Sequence, residues 1–292
     1  MNRQLHLAVL LGAAAALEGG WLEGGMKTAA AKERPSGLED QLQQTSSAVR
    51  RAVEAETISS EKEEKTPVEK AIDRIFASGA TITAPEDDYN QKRIAYWKKR
   101  FARPGGKWVK AWERMKERGH LEMVVKICDE EGVPPELVFI ALIESGWRSN
   151  TTSPAGARGY WQFTESTARH RGLRVDAEAG VDERTHPRKS TRAAVRYLKF
   201  LYNLTYEWDK QRRPDDEELD DSVRWMFALW AYNRGPKYVA LAYEKYEGNV
   251  ATYQEKLPAR LEEHGDYPNR FFGIREFLRD HEQLKGKQDL EE

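Results

Sequence analysis

Apolar positions recur at the three- and four-residue spacing of helices over most of this chain, and Gly or Pro closes nearly every run. Pro67 opens the first such run, with Val68, Ile72, Ile75 and Phe76 on one face and Gly79 at its end. Ala80 to Pro85 reads as an extended connection. Ile94, Trp97 and Phe101 mark a second helix, stopped by Pro104-Gly105-Gly106. Trp108, Ala111, Trp112 and Met115 mark a third, ending at Gly119, and Leu121 to Glu131 a fourth, ending at Gly132. Within Val133 to Phe163, Pro135 suits a first helical position, and Leu137, Ile140, Ala141 and Glu144 share one stripe. Thr164 to Arg171 is a short helix ahead of Gly172, and Asp176 to Arg184 a polar, acidic loop. Pro187 opens a long helix that turns Ala194, Val195, Leu198, Leu201 and Tyr202 inward. Val223, Met226, Phe227 and Trp230 form the next buried stripe, stopped at Arg234-Gly235-Pro236. Helices around Lys237–Tyr246 and Pro268–Leu278 follow, and the charge density from Asp280 onward predicts a frayed tail over 281–292. The chain is therefore expected to be mainly α.

Composition narrows this. The 292 residues are 39% hydrophobic with a net charge of −1, enough for a sizeable core and without the basic excess of a nucleic-acid binder. Residues 1–20 read as an export signal: Arg3 precedes an apolar run from Leu5 to Leu17, with Ala14 and Ala16 as a small-x-small site. That run is shorter than the ~20 residues of a bilayer span. No Cys lies near it for a lipid anchor, so any hold on a membrane would be through an uncleaved N-terminus. No aromatic residue occurs between Leu22 and Ile75, and the Glu/Lys/Ser-rich stretch 21–66 reads as a disordered linker. Helices within 67–119 are expected to pack on the domain at 120–280. Cys128, the single cysteine, sits in an apolar helical pattern and reads as a core thiol.

Candidate chemistry centres on Glu144. A carboxylate stands where the stripe calls for an apolar side chain, followed by Trp147 and a Gly-rich loop that returns Gly159-Tyr160-Trp161-Gln162. Partial burial disfavours the charged form, raises the pKa and suits the group to general acid work on a glycosidic oxygen. A two-carboxylate glycosidase would need a second acid, and Glu165, Asp176, Glu178, Asp182 and Glu183 are available without spacing favouring one. The six His residues show no pair at metal-ligand spacing, no nucleophile elbow or phosphate loop is present, and no metal or cofactor is implied. The acidic run after Pro214 fits a helix's first turn better than a calcium loop.

Three blocks, Glu144-Ser145-Gly146-Trp147, Gly159-Tyr160-Trp161-Gln162 and Ala231-Tyr232-Asn233-Arg234-Gly235, together resemble the signatures of the soluble-lytic-transglycosylase type catalytic domain, nearest to the membrane-bound lytic murein transglycosylase D group. The resemblance runs from about Lys107 to Leu278. It implies a lysozyme-like helical domain, preceded by a few packed helices, that acts on peptidoglycan glycan strands in the periplasm. It implies a one-carboxyl mechanism in which Glu144 is first acid and then base, leaving 1,6-anhydromuramic ends. Ser145, Tyr160, Gln162, Tyr232 and Asn233 would then serve substrate binding: Gln162 on the acetamido group, Tyr232 over the reacting centre, Asn233 on the cleft floor. Ser145 would alternatively hold the helix end, and Tyr160, Trp161 and Trp147 are also natural packing residues. His186 stands where the family usually has Asp, a weaker helix cap. A muramidase using water, or an inactive glycan-binding or assembly protein, remains the alternative. Oligomeric state is not legible.

Overall fold

Thr66 caps the first helix as a reciprocal pair: its hydroxyl accepts from the Glu69 N–H (3.3 Å) while its own N–H donates to the Glu69 carboxylate (2.7 Å). The computed structural model describes residues 64–77, 82–212, 219–246 and 265–288, with residues 47 and 254 besides. The export segment, nearly all of the linker, Gly79, the acidic run at 215–218 and the last four residues lie outside the described residues. The chain divides into units Met1–Glu64 and Lys65–Glu292, and the second carries the structure that follows.

Its helices are α1 (Pro67–Phe76), α2 (Asp88–Phe101), α3 (Lys107–Glu117), α4 (His120–Glu131), α5 (Val138–Ser145), α6 (Glu165–His170), α7 (Pro187–Arg212), α8 (Asp221–Arg234), α9 (Pro236–Tyr246) and α10 (Tyr267–Gln288). The punctuation read from the sequence places most of them. Gly132 ends α4 in the left-handed region (φ 65°), and Thr164, Asp87 and Asp220 each accept a backbone N–H at the start of α6, α2 and α8.

Four features differ from the sequence reading. Pro134 and Pro135 both lack a donor, and the turn Pro135–Leu137 is 3-10, so α5 starts only at Val138. α5 has no polar face before Glu144, because Val138 through Ile143 are all buried. It is the central rod of the core, enclosed rather than laid on a surface. The acidic loop contains a small antiparallel hairpin, β1 (Val175–Asp176) and β2 (Val181–Asp182), in which Val175 pairs with Asp182 and is buried. α10 does not fray at Asp280 but continues to Gln288. Its last turns are held by α3: Trp112 Nε1 donates to Glu282 Oε1 (2.6 Å), and Lys285 Nζ to Glu113 Oε1 (2.9 Å). His186 does cap α7, its Nδ1 accepting from the Lys189 N–H at 3.4 Å, a long bond consistent with a weak cap.

α2 lies directly on α10. A Cβ at Gly273 would stand 2.6 Å from Trp97 Cβ and 3.0 Å from the Lys98 backbone N, so the crossing requires glycine. Gly273→Ala is expected to force the helices apart and cost about 1–3 kcal/mol. A lower urea midpoint at unchanged slope is the expected reading, and an unchanged midpoint would contradict so close a crossing. Cys128 is fully buried, and burial pushes its thiol far above the ordinary range, as a core thiol requires. Among the described residues, no helix is long and apolar enough to cross a membrane.

Candidate active site

α5 ends at Gly146 in the left-handed region (φ 61°), its N–H donating to the Leu142 carbonyl at 2.8 Å. That stop leaves Glu144 on the last turn. The loop beyond is fastened from several sides. Ser145 Oγ donates to the Tyr160 carbonyl (2.8 Å) and accepts from the Arg148 N–H (3.1 Å). Trp147 Nε1 donates to His120 Nδ1 (2.9 Å), and burial lowers the His120 pKa, which keeps that nitrogen an acceptor. Tyr160 packs on Trp147 with ring centroids 4.6 Å apart. Ser145 is thus a rivet, with its hydroxyl spent inside the protein, and Tyr160 is mainly a packing residue. Neither lines the cleft described next.

The return strand of the loop depends on Gly159 (φ 83°), whose missing Cβ would sit 2.1 Å from the Arg184 carbonyl oxygen. The buried Arg184 guanidinium binds both Asp182 oxygens (2.8 and 2.7 Å) and donates to the Gly156 (3.2 Å) and Phe163 (3.3 Å) carbonyls. Trp147 and Gln162, at φ 55° and 52°, are the two non-glycine residues at positive φ among those described, and both belong to this loop. Gln162 Nε2 donates to the Thr151 (3.0 Å) and Gly159 (2.9 Å) carbonyls, which commits the amide nitrogen. Its oxygen is the end that remains to accept.

Glu144, Gln162, Tyr197, Tyr232 and Asn233 line one cleft of about 450 Å³. The structure therefore brings together Glu144 of α5, Gln162 of the loop and Tyr232 and Asn233 of α8, which the sequence grouped only by motif, and adds Tyr197 of α7. Glu144 is half-buried, and burial raises its carboxyl pKa above the ordinary 4.5. A hydrogen bond from the Tyr267 hydroxyl to Oε1 (2.6 Å) and the charge of Arg270 oppose that rise. The phenols of Tyr267 and Tyr232 are held well above their usual pKa, first by burial and then by the Glu144 charge, so both stay protonated donors. Tyr232 spends its proton on the Trp161 carbonyl (2.7 Å), locking the loop to α8. The phenol that reaches the acid is Tyr267, not Tyr232.

Tyr267 owes its position to its neighbour. Asp266 is buried and accepts from Arg93 Nε (2.8 Å), Trp97 Nε1 (2.8 Å) and Asn269 Nδ2 (3.2 Å), while Trp230 Nε1 donates to the Gly265 carbonyl (3.1 Å). α2 and α8 thus fix the entry to α10. The sequence reading missed Tyr267, Asp266 and Arg93. Their one local signal was an Asp-Tyr pair just ahead of the helix-opening Pro268.

The alternative acids are accounted for elsewhere. Glu165 pairs with Arg169, Asp176 with Arg174, Asp182 with Arg184 and Glu183 with Lys189, and Glu178 is exposed. None lines the cleft, in which Glu144 is the sole carboxylate among the described residues. Glu113, His281 and Glu282 converge as closely as the ligands of a metal ion would, but Lys116 and Lys285 already hold those carboxylates, which is ion-pair chemistry.

A mainly helical core that presents one carboxyl group, raised in pKa by burial, to a cleft is consistent with the lysozyme-like domain that the motif blocks implied. Residues 124–255 match the family model of the transglycosylase SLT domain. The chain is similar to proteins named membrane-bound lytic murein transglycosylase F. The Haemophilus influenzae (strain PittEE) protein is 33% identical over 99 residues, 34% of this chain and 17% of the relative. The Shewanella loihica protein is 33% identical over 104 residues, 36% and 18% of the two chains. The Pasteurella multocida protein is 34% identical over 99 residues, 34% and 16%. The match thus spans under a fifth of the length of these relatives. They carry the F designation, whereas the motif blocks had suggested the D group.

Proposed function

We propose that the protein is a peptidoglycan lytic transglycosylase, a lyase that cleaves the β-1,4 bond between N-acetylmuramic acid and N-acetylglucosamine without water. The observation that carries this is the lone cleft carboxyl group, raised in pKa yet hydrogen-bonded to a buried phenol. Such a group is protonated often enough to act as an acid and is supported well enough to survive as a carboxylate.

Glu144 gives its proton to the bridging oxygen as the bond from C1 to that oxygen breaks. The substrate's own acetamido carbonyl oxygen closes on C1 and takes up the positive charge. The Glu144 carboxylate, accepting from Tyr267, then removes the proton of the C6 hydroxyl. The C6 oxygen bonds to C1 and displaces the acetamido oxygen, and Glu144 is protonated again. Atoms balance without water, and one acid serves both halves. Gln162, with its nitrogen committed to the loop, presents its oxygen to the acetamido N–H. Asn233 and Tyr197 border the sugar, and no metal or cofactor enters any step. The relatives are named as membrane-bound murein transglycosylases, which supports a place at the cell envelope, and the apolar residues at 1–20 suit export to the periplasm.

Mass spectrometry of murein digested by the full chain tests this. Muropeptides ending in 1,6-anhydromuramic acid are expected. Reducing ends in their place would make the protein a muramidase, and intact murein that retains bound protein would make it a glycan-binding module.

A further inference from the structure

A second concavity, of about 550 Å³, shares the C-terminal end of α5 with the catalytic cleft, since Gly146 lines it two residues past Glu144. Lys107, Lys110, Arg114, Arg118 and Arg148 line it and no carboxylate does. The first four are spaced three, four and four residues apart, which puts them on one helical face along α3 and just beyond its end. Like charges at that spacing oppose the helix. Lys107 also sits at the helix N-terminus, where the dipole disfavours a cation, and α3 has no acidic residue in its first turn and no side-chain cap at Gly106.

Packing explains only part of the cluster. Arg148 Nε donates to the Ser145 carbonyl (2.8 Å) and Arg114 Nη2 to the Gly146 carbonyl (3.2 Å), closing the end of α5. Lys107 Nζ lies over the Trp108 ring, 4.4 Å from its centroid. Lys110 and Arg118 are exposed, and none of the five forms a salt bridge with a described carboxylate. Glu122 influences His120 but does not line the pocket. Burial, and then the like charges of Arg148 and Arg270, lower the Lys107 pKa, as expected of cations gathered without their counter-charge.

The geometry points to a binding site for the carboxylates of the short acidic peptide carried by the muramic acid of the strand being cut. This rests on the proposed activity for the identity of the strand. The two concavities flank the same end of α5, with Glu144 lining one and Gly146 the other, so groups pendant from a strand seated on Glu144 have this basic face as their neighbour. The pocket would select strands that carry stems over strands stripped of them.

The test is calorimetric titration of the full chain with the tripeptide L-Ala-γ-D-Glu-diaminopimelate and with the same peptide amidated at every carboxyl. Wild-type protein is compared with the double variant Lys110→Glu/Arg118→Glu, whose exposed positions leave the core intact. Wild type is expected to bind the free acid, and the variant to lose about tenfold in affinity. Amidation is expected to remove the difference between them. Equal affinity for the free acid in both proteins, no binding by wild type, or preference for a glycerol-phosphate oligomer would each overturn the inference. The peptide has no glycosidic bond, so these outcomes are independent of whether anhydro ends are released from murein.

Discussion

Glu144→Gln is expected to cut the release of anhydro-muropeptides by about 10³-fold and, at neutral pH, to raise the melting temperature. The first effect follows from removing the one group that both gives and takes the proton, and general acid–base catalysis is worth about 10²–10⁴-fold per step. The second follows from the direction of the pKa shift. Burial raises the folded-state pKa of Glu144 above the 4.5 of an exposed carboxyl group. The folded protein therefore binds the proton more tightly than the unfolded chain, and its stability falls as pH rises from about 4.5 through the folded-state value. Below that window both states are protonated and the penalty vanishes. Glutamine has no charge to desolvate and can still accept from Tyr267, so the variant should gain stability above the window and little below it. Retained activity would remove Glu144 from the chemistry. A gain in melting temperature as large at pH 3 as at pH 8 would show that the penalty is not ionic.

Tyr267→Phe should lower kcat by about 10- to 100-fold with KM nearly unchanged, since a hydrogen bond to a charged group is worth about 1.5–3 kcal/mol. The bond exists for the carboxylate, which forms midway through the proposed reaction, more than for the resting acid. Its removal also has a signed consequence for pH dependence. The Tyr267 hydroxyl holds the Glu144 pKa down against burial. Without it the pKa climbs, and the alkaline limb of the activity profile moves to higher pH. A merely packing tyrosine would leave profile and kcat alone, because phenylalanine fills the same space. An unmoved limb with wild-type kcat would therefore reduce Tyr267 to a core residue.

Much of this was legible in the sequence because it is local. Glycines that end helices and prolines that open them act within one turn, and with the apolar stripes they placed most of the helices. Glu144 was conspicuous because it interrupts an apolar run, and the Gly159–Gln162 and Ala231–Gly235 blocks carried enough resemblance to be grouped with it. What escaped depends on distant partners. Tyr267 lies 123 residues from the carboxylate it serves, and no spacing rule links them. The turns of α10 beyond Asp280 looked too charged to persist, yet Glu282 and Lys285 find their complements on α3. The all-round burial of α5 could not be told from one apolar stripe, since only the packing of its neighbours decides which faces are covered. Ser145 and Tyr160 were grouped with the ligands because the blocks place them beside Glu144. Ser145 bonds inward to the Tyr160 carbonyl, and Tyr160 packs on Trp147 and borders the second concavity rather than the cleft.

The grip of Arg93 and Trp97 on Asp266 joins residues at opposite ends of the order in which the chain is made. Glu144 emerges from the ribosome long before Tyr267, and the segment matched by the family model is complete at residue 255, still without it. A growing chain therefore carries its acid for much of synthesis without the phenol that supports the ionised form. Under the proposed function, competence waits for the helix that begins at Tyr267, since its entry brings Asp266 to Arg93 and the phenol to Glu144.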